Sequence, residues 1–214
     1  MSAPLAIGVL ASGEGTTLDA LARAQGPYRV AVVLVDRPLV GAIEVARRHG
    51  LEVVDVGRPR KDPLAWADRV SDELARRGVE LVVLAGFLSI LPPTWEARWR
   101  GRAINVHPSL LPRFGGHGMY GLKVHAAVLA AGERESGATV HLVTGDVDGG
   151  PALARARVPV EPGDTPERLR DRIRPVEHEL LVRTVTEFAT GARPLPYSGG
   201  DDDRAARRAD ERRA

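Results

Sequence analysis

The sequence predicts an α/β fold, a doubly wound and mostly parallel sheet with helices on both faces. Three observations predict it. Short apolar runs alternate with amphipathic segments along most of the chain. Hydrophobic residues make up 43% of the sequence and aromatics only 4%, so Val, Leu, Ile and Ala must build the core, as in a buried parallel sheet. Polar and glycine-rich clusters fall where strands end, the edge at which such sheets bind ligands.

The elements follow in order. Leu5 to Leu10 is a short apolar strand. A glycine loop and a helix from about Thr17 to Ala24 come next. Val30 to Val35 is a nearly unbroken β-branched run and therefore a central strand. Gly41 to His49 reads as a helix and Leu51 to Val56 as a strand. Pro63 to Arg77 is an amphipathic helix with Leu64, Ala67, Val70 and Leu74 on one face, and Pro63 suits its first turn. Leu81 to Ala85 is a buried strand ending at Gly86. Pro92 to Trp99 forms a short helix, in which Trp95, Glu96 and Trp99 read as ordinary packing and helix residues. Ala103 to His107 is the next strand, and Leu122 to Ala131 is helical. Ala138 to Val143 and Ala152 to Val160 are strands on either side of a second loop. Thr165 to Ala189 is a long helix with a kink expected before Pro175.

Composition sets outer limits. A chain of 214 residues holds one domain or two small ones. With no cysteine there is no disulfide, no thiolate nucleophile and no cysteine metal site. Thirty Lys and Arg stand against 28 Asp and Glu, a net charge of +2 that does not call for nucleic acid. The N-terminus lacks the pattern of a signal peptide, and no apolar run approaches the length of a membrane span. A cytoplasmic protein is expected. From Ser198 the composition turns to Asp201, Asp202 and Asp203 followed by Arg and Ala, which reads as a solvated polar tail.

The most informative stretch is Asn105 to Pro112, Asn-Val-His-Pro-Ser-Leu-Leu-Pro. Residues i and i+2 of a strand share a face, so Asn105 and His107 project side by side. An amide can donate to a developing oxyanion, and a histidine can hold or move a proton near neutral pH. Pro108 and Pro112 stiffen the loop that follows. The arrangement suits acyl-group chemistry. The plainer alternative is a buried pair that satisfies backbone groups.

Two loops accompany it. Ser12-Gly13-Glu14-Gly15-Thr16-Thr17 joins the first strand to the first helix, where free N–H groups and the helix dipole favour a phosphate. It lacks the third glycine of a dinucleotide fingerprint. Its plainer alternative is a tight turn with Thr16 or Thr17 as helix cap. His141 to Pro151 carries Asp146 and Asp148. A carboxylate brought beside His107 raises its pKa and orients the ring, but spacing does not decide between the two. His49, His117, His125 and His178 have no metal-ligand spacing, and no metal is assigned. Ser12 and Ser109 lack a nucleophile-elbow context.

Ser12 to Gly15, Leu84-Ala85-Gly86-Phe87-Leu88-Ser89-Ile90-Leu91, Asn105 to Pro112 and Thr139 to Pro151, in that order, resemble the phosphoribosylglycinamide formyltransferase family of purine synthesis. The resemblance spans Leu5 to Ala192. It implies one catalytic domain over residues 1–192, with a Rossmann-like nucleotide-binding half (1–100), a folate and catalytic half (101–192) and a polar tail (193–214). It implies direct transfer of the formyl group of 10-formyltetrahydrofolate, the cosubstrate, to the glycinamide amine. Asn105, His107 and Asp148 would be catalytic. Gly15, Thr16 and Thr17 would hold the phosphate and Glu177 the ribose. Leu88, Ser89, Ile90 and Leu91, with Asn105, would line the folate pocket. Small-molecule substrates are implied, without nucleic acid or membrane, in a monomer or weak homodimer.

Three departures from the family pattern stand out. Thr17 replaces a frequent Asn, while Glu14 takes the place of a neutral or basic residue. Ser89 replaces a frequent Arg. The loop Phe114 to Gly121 follows a less common subgroup. Rival functions on the same core are sugar-amine N-formyltransferase and formyltetrahydrofolate hydrolase. A methionyl-tRNA formyltransferase would carry a further C-terminal domain, and the hydrolases an N-terminal regulatory one. A non-catalytic nucleotide- or folate-binding module would not need the Asn, His and Asp set.

Overall fold

Strand β1 (Leu5–Ala11) is buried at every residue because its two faces serve two helix layers. Ile7, Val9 and Ala11 point to one core, and Leu10 to the other. The computed structural model of the protein describes residues 3–195. After β1 come α1 (Thr16–Arg23), β2 (Tyr28–Val35), α2 (Gly41–Arg48), β3 (Val53–Asp55), α3 (Pro63–Arg76) and β4 (Leu81–Leu84). Then follow α4 (Pro93–Trp99), β5 (Ala103–His107), α5 (Leu122–Ala130), β6 (Glu135–Leu142), β7 (Ala152–Pro159) and α6 (Pro166–Ala189).

One seven-stranded sheet runs in the order β3-β2-β1-β4-β5-β6-β7. The first five strands are parallel, and β6 and β7 add antiparallel pairings. Helices α1, α2, α5 and α6 cover one face, and α3 and α4 the other. Leu18 and Leu21 of α1 are 0% and 1% exposed, and burying each such side chain contributes roughly 1.5–3 kcal/mol. On the opposite face Leu74 packs where a Cβ on Gly8 would sit, so the glycine lets α3 lie close to β1.

Several expected boundaries move for identifiable reasons. The third strand is shorter than Leu51 to Val56, since it pairs with β2 only from Val53 to Asp55. Leu51 instead closes the end of α2, its N–H bonded to the Ala46 carbonyl at 2.9 Å. The sixth strand starts at Glu135, not Ala138, because it pairs with β7 as far as Pro159. On α3, Leu64 is 54% exposed and the buried face is Trp66, Ala67, Val70 and Leu74. Asp62 caps that helix through its side chain, and Pro63 occupies the first turn. Helix α6 continues through Pro175, which lies on its exposed side.

Leu195 packs on the first core, and Arg193 pairs with Glu187 at 2.9 Å. The tail expected from Ser198 to Ala214 lies outside the described residues. No described helix is long and apolar enough to cross a membrane.

The strand order reverses between β1 and β4. A crevice opens outside the carboxyl ends of strands at such a switch point. The glycine loop leaves β1, Leu88 to Leu91 follow β4, and Asn105 and His107 end β5. All three sit on one edge of the sheet.

Candidate active site

Gly15 closes the glycine loop and starts α1. Its φ of 80° is left-handed, and its carbonyl accepts the first helical bond, from Asp19 N–H at 2.9 Å. Neither Thr16 nor Thr17 caps the helix. The first N–H groups of α1 therefore remain for a ligand. Helix α2 braces the loop from behind: Ala42 N–H bonds the Gly13 carbonyl at 3.0 Å, and a Cβ on Gly15 would lie 2.6 Å from Ala42 Cα. The Thr17 hydroxyl lies beside the Glu177 carboxyl of α6 and favours its ionised form. Burial pushes the Glu177 carboxyl up to about 7, against the pull of Arg174 and Thr17. The Glu14 side chain is 78% exposed and lies 3.8 Å from Arg174.

At the end of β5, Asn105 and His107 share a face as their spacing requires. Asn105 Nδ2 and His107 Nδ1 each lie 3.4 Å from Asp148, one on each carboxylate oxygen. Asp148 Oδ2 accepts the Gly116 N–H at 2.9 Å. Asp148 thus faces inward, and Asp146 sits exposed on the loop. Asp148 and Phe114 both hold left-handed backbones, with φ of 56° and 59°. Such strain concentrates where the fold over-determines a site.

His107 is 4% exposed and surrounded by acceptors. Its Nε2 faces the Phe114 carbonyl at 2.8 Å and its Nδ1 faces Asp148. Only an imidazolium donates to both. Burial opposes that charge. It outweighs the pull of Asp148 and the Phe114 carbonyl and holds the pKa below its ordinary 6.5. The expected upward push from Asp148 is present, but the net shift is downward. Burial also pulls the Asp148 carboxyl upward, yet His141, His107 and the Gly116 N–H together hold it below its usual value.

His141 is a residue that spacing alone did not single out. The antiparallel register sets it opposite Asn105. Asn105 Nδ2 lies 3.0 Å from His141 Nε2, and His141 Nδ1 lies 2.8 Å from the Leu142 carbonyl. The Leu142 carbonyl must accept, so Nδ1 carries a proton, while Nε2 faces both the Asn105 amide and Asp148 Oδ1, the latter at 3.6 Å. The Asp148 carboxylate can only accept, which makes the Asn105 amide nitrogen the end turned toward it.

Two cavities meet at these residues. One, of about 410 Å³, runs from Thr17 and Glu177 past Asn105, His107 and Asp148 to Leu88, Ile90 and the loop from Gly116 to Gly121. The other, of about 110 Å³, is lined by Leu88, Ser89, Ile90 and Leu91 on one side and His141 and Val143 to Asp148 on the other. Leu88 and Ile90 are 42% and 56% exposed, apolar groups turned to open space. Leu91 also packs on the second core. Ser89 lines the small cavity but turns its hydroxyl to Asp36 at 2.6 Å. Among the described residues no cluster of three His, Asp or Glu side chains is placed to hold a metal.

Residues 5–185 match the family model described as formyl transferase. The chain belongs to the formyl transferase family. It is 42% identical to the phosphoribosylglycinamide formyltransferase of Mycobacterium tuberculosis over 196 residues, 88% of this chain and 87% of that one. A chloroplastic phosphoribosylglycinamide formyltransferase of Arabidopsis thaliana is 40% identical over 73% of this chain, which spans 54% of that longer protein. The crystal structure of glycinamide ribonucleotide transformylase 1 from Symbiobacterium toebii superposes with a TM-score of 0.81 at 37% identity, covering 89% of this chain and 90% of that one. This formyl transferase therefore shares both fold and sequence with relatives over most of its described length.

Proposed function

We propose that this formyl transferase moves the formyl group of 10-formyltetrahydrofolate to the amine of 5-phosphoribosylglycinamide in purine biosynthesis. The observation that carries this reading is the convergence of Asn105, His107 and Asp148 between the glycine loop and the apolar Leu88 to Leu91 loop. The N–H groups of Gly15, Thr16 and Thr17 suit a phosphate. Arg174 beside Glu14 supplies a cation at the same place, and the outward turn of Glu14 keeps its charge from the anion. Glu177 offers a carboxyl to ribose hydroxyls. Leu88, Ser89, Ile90 and Leu91 form the apolar wall for the folate rings.

The reaction needs no covalent enzyme intermediate. The free amine attacks the formyl carbon and forms a C–N bond. The carbonyl oxygen becomes an oxyanion, which the charge of a protonated His107 stabilises through space and to which Asn105 Nδ2 donates in place of its long 3.4 Å contact with Asp148. The negative oxygen favours the imidazolium that burial disfavours in the free protein. Collapse breaks the bond from carbon to folate nitrogen, which takes up a proton as the amine loses one. His107 or water relays it. Asp148 orients the ring and favours its charge.

One coupled assay tests the substrate. Formyl transfer from 10-formyltetrahydrofolate is expected with glycinamide ribonucleotide and not with a sugar amine. Transfer to the sugar amine alone would replace this reading with the rival activity, and release of free formate without an acceptor would point to a hydrolase.

A further inference from the structure

Asp36 follows β2 and is 0% exposed, yet no substrate role is assigned to it. In dinucleotide-binding sheets an acidic residue near this place reaches the ribose. Here the carboxylate is buried, and the groups bonded to it are donors. Ser89 Oγ lies at 2.6 Å, and Arg37 Nε and Nη2 lie at 3.0 and 3.2 Å. The Ser12 hydroxyl lies close enough to favour the ionised carboxylate. Ser12 Oγ also accepts the Leu88 N–H at 2.8 Å. With its lone pair facing Leu88, the Ser12 proton is left for Asp36.

These bonds join two segments that are 76 residues apart in sequence. Ser12 opens the glycine loop, and Leu88 and Ser89 open the loop after β4. Register pairing between β1 and β4 stops at Leu10 and Leu84. Beyond it the loops are tied by Ser12 N–H to the Gly86 carbonyl at 3.2 Å, by Ser12 Oγ to Leu88, and through Asp36. Burial raises the Asp36 pKa, but the bonds from Arg37, Ser89 and Ser12 outweigh it and keep the carboxylate ionised.

We propose that Asp36 is a positioning residue that sets the distance between the ribonucleotide loop and the folate loop. The inference rests on the assignment of those loops made above. The carboxylate accepts from Ser89 and from Arg37 and attracts the Ser12 hydroxyl. An asparagine of the same shape offers one oxygen and turns an N–H toward a donor, so Asp36→Asn loosens at least one tie. A change on the folate side then reaches the ribonucleotide side.

Steady-state kinetics on the full chain, with both substrates varied, tests this. Ser89 lines only the small cavity, away from Thr17 and Glu177. Ser89→Ala is nevertheless expected to raise KM for the ribonucleotide about threefold to tenfold, within the range of network mutations. Ser89→Thr, which keeps the hydroxyl, should restore it. Asp36→Asn should raise both KM values, and Asp36→Asn with Ser89→Ala should be no worse than Asp36→Asn alone. An effect of Ser89→Ala on folate KM alone, or multiplied losses in the double variant, overturns the proposal.

A second measurement does not depend on ligand assignment. In urea unfolding, Ser12→Ala and Ser89→Ala should be non-additive when Asp36 is present and additive in Asp36→Asn. Additivity with Asp36 present overturns the clamp whatever the loops bind, and this arm stands even if Asp36→Asn fails to fold. Thr17→Ala serves as the separate control. If it weakens folate and not ribonucleotide, the loop assignment fails while the cycle still judges the clamp.

Discussion

His107 Nδ1 and Asp148 Oδ2 stand 3.4 Å apart at the base of the cleft, and one loop holds both from behind. The Phe114 carbonyl lies 2.8 Å from His107 Nε2, and the Gly116 N–H donates to Asp148 Oδ2 at 2.9 Å. The Phe114 to Gly121 segment, expected to depart from the commoner family pattern, thus brackets this histidine–aspartate pair. Gly115 lets it come this close: a Cβ there would lie 3.1 Å from Asp148 Cβ.

Asp148→Asn keeps the shape and removes the charge that favours the imidazolium. Burial already holds the His107 pKa below 6.5, and without Asp148 it should fall further. NMR titration of the imidazole in both proteins measures this directly, and an unchanged curve would break the pairing. Turnover should drop by roughly a hundredfold or more, in the range of lost acid–base catalysis. His107→Ala combined with Asp148→Asn should be little worse than the worse single variant, since groups acting as one unit are non-additive.

Gly15→Ala should damage the glycine loop proposed to hold the phosphate. An alanine held at φ 80° costs about 1–3 kcal/mol, and its Cβ would press on Ala42 Cα at 2.6 Å. Either the loop or the start of α2 must move. KM for the ribonucleotide should rise more than KM for folate, with a lower thermal midpoint. Equal weakening of both substrates would contradict the role given to the loop.

Much of this was legible in the sequence because it depends on local pattern. Alternating apolar runs place β1, β2, β4 and β5, and the two-residue spacing of Asn105 and His107 puts them on one face. What escaped depends on pairing across the sheet. Nothing within the His141 segment says that it will stand opposite Asn105; the β5–β6 register decides that. Asp36 looks like an ordinary residue at a strand end until Ser12 and Ser89 close on it from the loops after β1 and β4. Leu64 fits the helical stripe of α3, yet Trp66 takes the buried place by reaching the Val56 and Gly57 carbonyls with its indole N–H. The fall of the His107 pKa required knowing how deeply the strand end is covered.

Glu177 is expected to give the proposed ribonucleotide site a pH dependence. Its carboxyl titrates near pH 7 in the free protein. Below that it is protonated and accepts ribose hydroxyls less well, so KM for the ribonucleotide should rise as pH falls from 8 to 6. The substrate phosphate and amine titrate too, and Glu177→Gln separates them. That variant mimics the neutral acid, so its KM should vary less over the same range. Parallel pH profiles in the two proteins would remove Glu177 from the site.

Acid should weaken the fold partly through His125. This side chain of α5 is 2% exposed, and its Nδ1 has no hydrogen-bond partner among the described residues. Burial lowers its pKa to about 4, helped by Arg170, His107 and Arg174 and opposed by Asp171. The ordinary value in an unfolded chain is 6.5. Above 6.5 the ring is neutral in both states and contributes no pH dependence. Between 6.5 and about 4 the unfolded chain takes up a proton that the folded protein refuses, so stability falls with falling pH. Below about 4 both states bind it and the loss levels off. His107 and His178, whose pKa values are also lowered, add in the same direction. Urea midpoints at pH 7.5 and pH 5 should therefore differ more in the wild type than in His125→Leu, which has nothing to protonate. An equal drop in the two proteins would mean that His125 is charged in the native state or that its burial is relieved before unfolding.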